Sequence, residues 1–217
     1  MDVPVWEPRR VAVVDIALPQ GVTPAGTRGR ILHEALGLYA ESGFHGTSIR
    51  KIADKVGINS ATLYAHYPSK GHVLAELVRI GHEEWHTRLS EAVASVPAAQ
   101  GTAAQLTALV RAHVLVHTDF PLLAVVTNSE LHALSAELAA PSLELRRICR
   151  GLLLNILERG IKEGDFHVPD LPLAATAIGS MGMQVAHWFG PDQPYPREQV
   201  ADSYAQFALR LAGATAP

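Results

Sequence analysis

Two short amphipathic segments joined by a single glycine, TSIRKIADKVGINSATLYAHYPSK at residues 47–70, constrain this chain more than any other stretch. Thr47 or Ser48 can cap a first helix with a side-chain oxygen, and Ile49, Ile52, Ala53 and Val56 then recur at the spacing of one buried helical stripe. Gly57 ends that helix, because a tight turn between helices needs a positive φ that glycine adopts without a Cβ clash. Ile58 follows as an apolar plug. A second helix starts near Asn59 or Ser60, places Leu63 inward, leaves Ser60, Ala61, Thr62, Tyr64 and His66 on or near an outer face, and stops at Pro68. The pattern is that of a helix-turn-helix over about residues 49–68. Small residues opening its second helix would let it approach base edges in a major groove, while Tyr64, His66 and Lys70 are of the kind that reaches phosphates. Any two amphipathic helices joined by glycine share this stripe, so spacing alone leaves DNA binding open.

The wider segment TRGRILHEALGLYAESGFHGTSIRKIADKVGINSATLYAHYPSKGHVLAELV, residues 27–78, resembles the N-terminal domain of TetR-type bacterial transcriptional regulators. The resemblance is carried by the TxxxIL start, Gly43-Phe44, Gly46-Thr47, Ile52-Ala53, Val56-Gly57, Thr62-Leu63-Tyr64, His66-Tyr67 and Ser69-Lys70. It implies contacts to bases or the nearby backbone from Arg50, Ser60, Ala61 and Thr62, and to phosphates from Thr47, Tyr64, His66 and Lys70, with Ser48 on the same DNA-facing surface. Position 65, a large aromatic contact in some relatives, is Ala65, so an operator sequence cannot be carried over.

Charge is distributed in keeping with such a head. The chain has a formal net charge of −3, yet residues 27–72 hold six Lys and Arg against three Asp and Glu, which leaves an acidic remainder. Cys149 is the only cysteine, so no intramolecular disulfide can form and a reducing cytoplasm is the expected setting. Its apolar context points to a small buried hydrophobe rather than a redox sensor. No apolar run approaches the roughly 20 residues that span a bilayer, and no membrane partner is expected. Residues 1–26, broken by Pro4, Pro8, Pro19 and Pro24, read as a flexible arm; Arg9 and Arg10 can reach a minor groove, or the arm can pack on the body.

From Thr27 onward the periodicity is helical, and the expected fold is all-α: a three-helix DNA-binding domain over 27–72 and a helical effector-binding and dimerisation domain over 73–217. Ile31, Ala35, Leu38 and Tyr39 face inward on helix one, which Gly43 ends; a long helix then runs from Gly71 to about Val96. Further helices are expected at about 102–117, a short turn at 120–126 capped by Asp119, a segment at 128–138, a long helix opened by Pro141 and ended by Gly164, and two more at 171–189 and 197–211. The last two carry apolar or small residues on more than one face. Ala175, Gly179, Gly182, Val200, Tyr204, Phe207 and Leu211 are therefore expected at the interface of a twofold homodimer.

The body shows no G-x-S-x-G elbow, H-E-x-x-H or phosphate-binding glycine loop, so the sequence does not point to an enzyme and no cofactor is expected. His113 and His117 share a helical face but lack a third ligand in a recognisable motif, so no metal site is expected. Residues 144–213 resemble the C-terminal domain of the TetR subgroup that regulates fatty-acid and sterol breakdown, through Arg146-Arg147, Glu158-Arg159-Gly160, Gly164-Asp165-Phe166, Asp170, Ala174-Ala175, Trp188-Phe189 and Tyr204. Several members sense acyl-coenzyme A thioesters. The resemblance implies an apolar effector, with an acyl-CoA as one choice, phosphates held by Arg146, Arg147 or Arg150, and a pocket expected from His113, His117, Phe120, Leu131, Arg147, Cys149, Met181 and Trp188. The expected function is a repressor that leaves a pseudo-palindromic duplex operator when effector binds. The alternatives are a helical small-molecule-binding dimer and an activator not released by ligand.

Overall fold

The computed structural model describes residues 15–214, and every regular element among them is helical. Arg9 and Arg10 of the proposed arm lie outside the described residues. In the described part of the arm, residues 15–26, Ile16, Leu18 and Val22 lie against the core beneath the first helix, and Pro19 is buried. Apolar side chains in that stretch have a surface to cover, which the proline count alone did not reveal.

Helix α1 (Gly26–Gly46) breaks at Gly43, whose φ of 69° turns Phe44 back into the core beside Tyr39, with ring centroids 5.9 Å apart. Leu32 and Leu36 join Ile31, Ala35 and Tyr39 on its buried face, while Leu38 is only half-buried. Helix α2 (Ile49–Val56) is capped by Ser48, whose side chain accepts from the Lys51 amide, and ended by Gly57 at φ 76°. Helix α3 (Ser60–His66) is capped by Asn59, which accepts from the Thr62 amide, and Leu63 is its one buried residue. Helix α4 (Lys70–Ala94) starts at the Ser69 cap and runs out of the head into the body.

The body is built on α5 (Gly101–Asp119), which packs against α4, α7 (Ala136–Glu163), α8 (Leu171–Trp188) and α9 (Arg197–Leu211). A short α6 (Pro121–Ser129) turns back toward the head, and its Leu122, Leu123 and Val126 share one hydrophobic core with α1–α4. A second core joins Leu89 of α4 to Leu106, Leu109, Leu153, Ile156 and Leu157. Head and body are thus connected by burial and not by chain alone.

Two expectations about helix boundaries and one about an interface change. Asp119 does not cap the helix after it; Pro121 opens α6 at a position where a missing N–H removes no bond, and Asp119 instead pairs with Arg88 of α4 at 2.5 Å and with Arg197 of α9. The long helix α7 starts at the Ser135 cap, so Pro141 sits in its second turn rather than at its start, and residues 131–133 form a separate 3₁₀ turn. Gly182 is buried inside the chain, not at a dimer seam: α8 crosses α5 there so closely that a Cβ would collide with the His113 imidazole. That ring is fixed by two hydrogen bonds and cannot move aside freely. Gly182→Ala should therefore cost about 1–3 kcal/mol of folding stability by overpacking, read by urea unfolding, while analytical ultracentrifugation shows self-association unchanged.

Candidate functional site

The head presents a shallow groove between the start of α2, the face of α3 and the start of α4. His45, Ser48, Arg50, Ser60, Tyr64 and Lys70 line it, and it encloses about 600 Å³. Tyr64 is 53% exposed on α3, and Arg50 stands outward with only a 3.9 Å approach to Asp54. Ala61 and Ala65 are exposed and His66 is half-buried on the same short helix. Thr62 is half-buried, and its hydroxyl donates to the Asn59 side chain at 3.0 Å, so it shapes the start of α3 as well as facing outward. Caps at Ser48, Asn59 and Ser69 fix three helix starts, those of α2, α3 and α4, at this end of the head.

Two of the residues expected at phosphates are turned inward. Thr47 is 2% exposed, and its hydroxyl is directed at the carbonyls of Gly43 (3.0 Å) and Leu38 (3.2 Å), where it ties the broken end of α1 to the start of α2. Lys70 donates to the carbonyls of Phe44 (2.8 Å) and Thr47 (3.0 Å), and its Nζ lies 4.2 Å from the Phe44 ring centroid. An ammonium has three N–H groups, so one remains for an anion in the groove. A buried carbonyl competes with phosphate for these donors, and short-range sequence patterns do not register that competition. His45, absent from the sequence-based set, joins the groove because the Gly43 break swings it there.

The body holds two adjoining chambers. The larger, about 260 Å³, is walled by Leu89, Leu109, Cys149, Leu153, Ala175 and Ile178, with His113 and Gly179 beside them. The smaller, about 40 Å³, is formed by Gly81 and His82 of α4, His117 of α5, and Phe120, Leu123 and Thr127 of the α6 region. Trp85, Arg146 and Met183 line both. Of the expected pocket residues, His113 and Cys149 therefore meet in one chamber, and His117 and Phe120 in the other. The remaining four lie elsewhere. Leu131 is buried in the core shared with the head, Arg147 is exposed and paired with Glu144 at 2.6 Å, Met181 packs in the body core, and Trp188 stacks on Tyr204. Met183 and Thr127 were not singled out from sequence, and Trp85 reads there only as part of an apolar helix face, because helical periodicity marks an inward face without saying whether packing fills it.

The dimer set divides in the same way. Ala175 and Gly179 line the larger chamber, and Val200 is buried against Val114 and Val185 within the chain. Tyr204 is partly covered by Trp188, whereas Phe207 and Leu211 are each 43% exposed and Leu173 is 67% exposed. The outer faces of α8 and α9 therefore still offer apolar surface to a partner.

A neutral polar network supports the chambers. Trp85 Nε1 donates to His113 Nδ1 at 2.7 Å, which places the ring proton on Nε2, and Nε2 donates to the Gly179 carbonyl at 3.0 Å. His117 donates from Nδ1 to the His113 carbonyl at 2.7 Å. Burial pushes His113 down to about 4 and His117 to about 3. Burial also lowers His82 to about 4, and its Nδ1 lies 2.8 Å from the Val78 carbonyl. Cys149 is pushed up to about 12 by burial, which makes it an inert apolar wall. Among the described residues Arg146 meets only the Asn128 side-chain oxygen, at 3.1 Å, and no carboxylate; burial lowers its pKa, and it remains a cation at the junction of the chambers. Arg150, one turn on, stands at the rim near Thr176. No group of three metal-ligating side chains occurs among the described residues.

Comparison with known proteins places both halves. Residues 31–77 match the family of bacterial regulatory proteins named for tetR, and residues 99–212 match the tetracyclin repressor-like C-terminal domain. The chain is 31% identical over 197 residues to the HTH-type transcriptional repressor KstR2 of Mycobacterium tuberculosis, covering 87% of this chain and 92% of that one. It is 26% identical over 182 residues to the fatty acid metabolism regulator protein of Bacillus subtilis, covering 83% and 92% respectively. A crystal structure of a bacterial regulatory protein in the tetR family from Rhodococcus RHA1 superposes with a TM-score of 0.82 at 29% identity, covering 89% of this chain and all of that one.

The three buried histidines set a pH dependence. Their folded pKa values lie below the ordinary 6.5, so the unfolded chain binds protons that the folded one refuses. Their contribution is complete above pH 6.5 and is lost as pH falls toward 4, by about 1.4 kcal/mol per pH unit for each histidine fully protonated only when unfolded. Urea midpoints should fall steeply between pH 6.5 and 4.5, and His117→Phe should flatten that slope.

Proposed function

This chain belongs to the TetR family of bacterial regulatory proteins, and on that premise we propose that it is a homodimeric, cytoplasmic repressor released from its operator by a small apolar effector, with an acyl-coenzyme A thioester as the favoured class. The observation that carries the reading is the course of α4. Its first residue, Lys70, lines the groove in the head, and Gly81, His82, Trp85 and Leu89 farther along line the chambers. The α6 region gives a second route, because Phe120, Leu123 and Thr127 bound the smaller chamber while Leu122, Val126 and Leu123 itself belong to the head core. An effector that changes the fit of these two helices changes the placement of the head.

The chemistry of the cavity supports an effector with an apolar body and an anionic portion. Leucine, isoleucine and alanine side chains wall the larger chamber, and Arg146 and Arg150 stand one turn apart at its junction and rim. An arginine without a carboxylate partner suits a phosphate or carboxylate oxygen, to which its planar fork donates well. Arg147, which sequence left as an equal candidate, is paired with Glu144 on the outer face and does not serve this reading.

The groove supports duplex DNA. Ser60 and Ala61 open α3 with small side chains, and Tyr64 and Arg50 flank them. In a twofold dimer joined through the exposed faces of α8 and α9, two such helices would read half-sites roughly 34–36 Å apart. Operator and effector then oppose each other through a coupling free energy, typically about 1–3 kcal/mol, and each weakens the other's binding equally.

The test is a fluorescence titration of the dimer on promoter DNA flanking its own gene, repeated with acyl-coenzyme A thioesters from short to long chain. Selective DNA binding that is released by a thioester is expected. Selective binding indifferent to every thioester would keep the regulator and remove the proposed effector class, and no selective binding at any salt would favour a small-molecule-binding dimer. Arg50→Ala should weaken operator binding and, if the guanidinium rests on phosphate, reduce the salt slope by about 1. Arg146→Gln should leave operator affinity unchanged and raise the thioester concentration needed for release by about tenfold or more.

A further inference from the structure

The smaller chamber has a polar end that the acyl-coenzyme A reading does not require. Thr127 is 5% exposed, and its Oγ1 has no hydrogen-bond partner among the described residues. It lies directly against Gly81, another lining residue of the chamber, so closely that a Cβ there would sit 2.6 Å from the oxygen. A buried, unpartnered hydroxyl costs stability, so its position calls for a reason.

The donor and acceptor inventory of its neighbours is specific. His82 and His117 each commit Nδ1 to the main-chain carbonyl one turn back on their own helix. In a neutral imidazole the proton is then on Nδ1, and Nε2 is left as an acceptor. Both rings are neutral, since burial holds them far below their ordinary pKa. At its Thr127 end the chamber offers two ring acceptors and one hydroxyl that both donates and accepts, set among Phe120, Leu123 and Trp85; Glu84, paired with Arg88, and Asn128, paired with Arg146, line it as well. A carbonyl at the Thr127 end would face the two ring lone pairs, and the further donors, on Arg146 and Asn128, belong to the junction. A carboxylate would be drawn instead to the Arg146 cation at the junction, and an ammonium would meet that same cation while the Glu84 carboxylate is already taken by Arg88. An aliphatic hydroxyl donates to an imidazole nitrogen and accepts from Thr127, which suits the site without adding charge.

Position and size agree with this assignment. Arg150 lines only the larger chamber, and His82, His117 and Thr127 line only the smaller. A volume of about 40 Å³ admits a group of a few water-sized parts and excludes a second ring or long branch. Resting on the reading that these chambers hold the effector, we propose that Thr127, His82 and His117 form a specificity subsite for a hydroxyl carried on the effector's apolar portion, so that the protein answers to a hydroxylated acyl group in preference to a plain one.

The test measures binding of dodecanoyl-coenzyme A and of its ω-hydroxylated and mid-chain-hydroxylated counterparts to the full-length protein, by calorimetry and by quenching of tryptophan fluorescence, with the corresponding free acids in parallel. At least one hydroxylated probe should bind tenfold or more tightly than the plain chain. Thr127→Val should erase that preference without weakening the plain chain, and Thr127→Ser, which keeps the hydroxyl, should retain it. Plain chains binding as well as every hydroxylated one, a preference that survives Thr127→Val, or no binding by any hydroxylated probe would each overturn the subsite. A hydroxyl preference among the free acids with no binding of thioesters would leave the subsite standing and remove the coenzyme A class instead.

Discussion

Helix α4 cannot bury its apolar residues within either half of the molecule alone, and the rest of the structure follows from that. Val73, Leu74, Leu77 and Val78 complete the core of the head, while Leu89 belongs to the core of the body. Each apolar side chain removed from water contributes on the order of 1.5–3 kcal/mol, so neither end of the helix is released cheaply. A rod held by burial at both ends transmits a change at one end to the other. Helix α6 reinforces the connection by giving one side to the head core and another to the smaller chamber.

Against that tight connection, the body relaxes close packing in one place. The two chambers lie beside a helix crossing so close that only glycine fits at position 182, against a histidine fixed between Trp85 and Gly179. Neutral buried histidines, an arginine without a carboxylate and an unpartnered threonine surround the opening. Such groups destabilise an empty core and become favourable when a molecule of matching polarity arrives. The Trp85–His113–Gly179 chain of hydrogen bonds ties α4, α5 and α8 together beside the space and keeps its wall from collapsing.

The head shows how polar groups with two uses are apportioned. Thr47 and Lys70 carry the residue types expected at a phosphate, yet the break in α1 at Gly43 leaves main-chain carbonyls that need donors, and these two side chains supply them. The groove is consequently built by the same residues that border it. Ser48 and Asn59 play a parallel part, since their side chains hold the helix starts from which Arg50, Ser60 and Ala61 face outward.

Local features of the chain were legible because their causes are local. Gly57 at positive φ, the helix start at Asn59–Ser60, the Gly164 stop and the 197–211 helix each depend on residues within a turn or two. The start of α7 was misplaced because Pro141 is a strong local signal that an earlier cap, Ser135, overrides in a helix long enough to tolerate one missing hydrogen bond. Periodicity identified Ala175, Gly179, Gly182 and Val200 as inward or sticky, and it could not say against what. Tertiary packing decided that Gly182 meets His113, that Ala175 and Gly179 border a cavity, and that Phe207 and Leu211 remain outside. Sequence by itself determined which faces of these helices are apolar, since that is written at intervals of three and four residues. Only the tertiary structure decided which of those faces close on each other and which enclose space, because that depends on contacts between segments tens of residues apart.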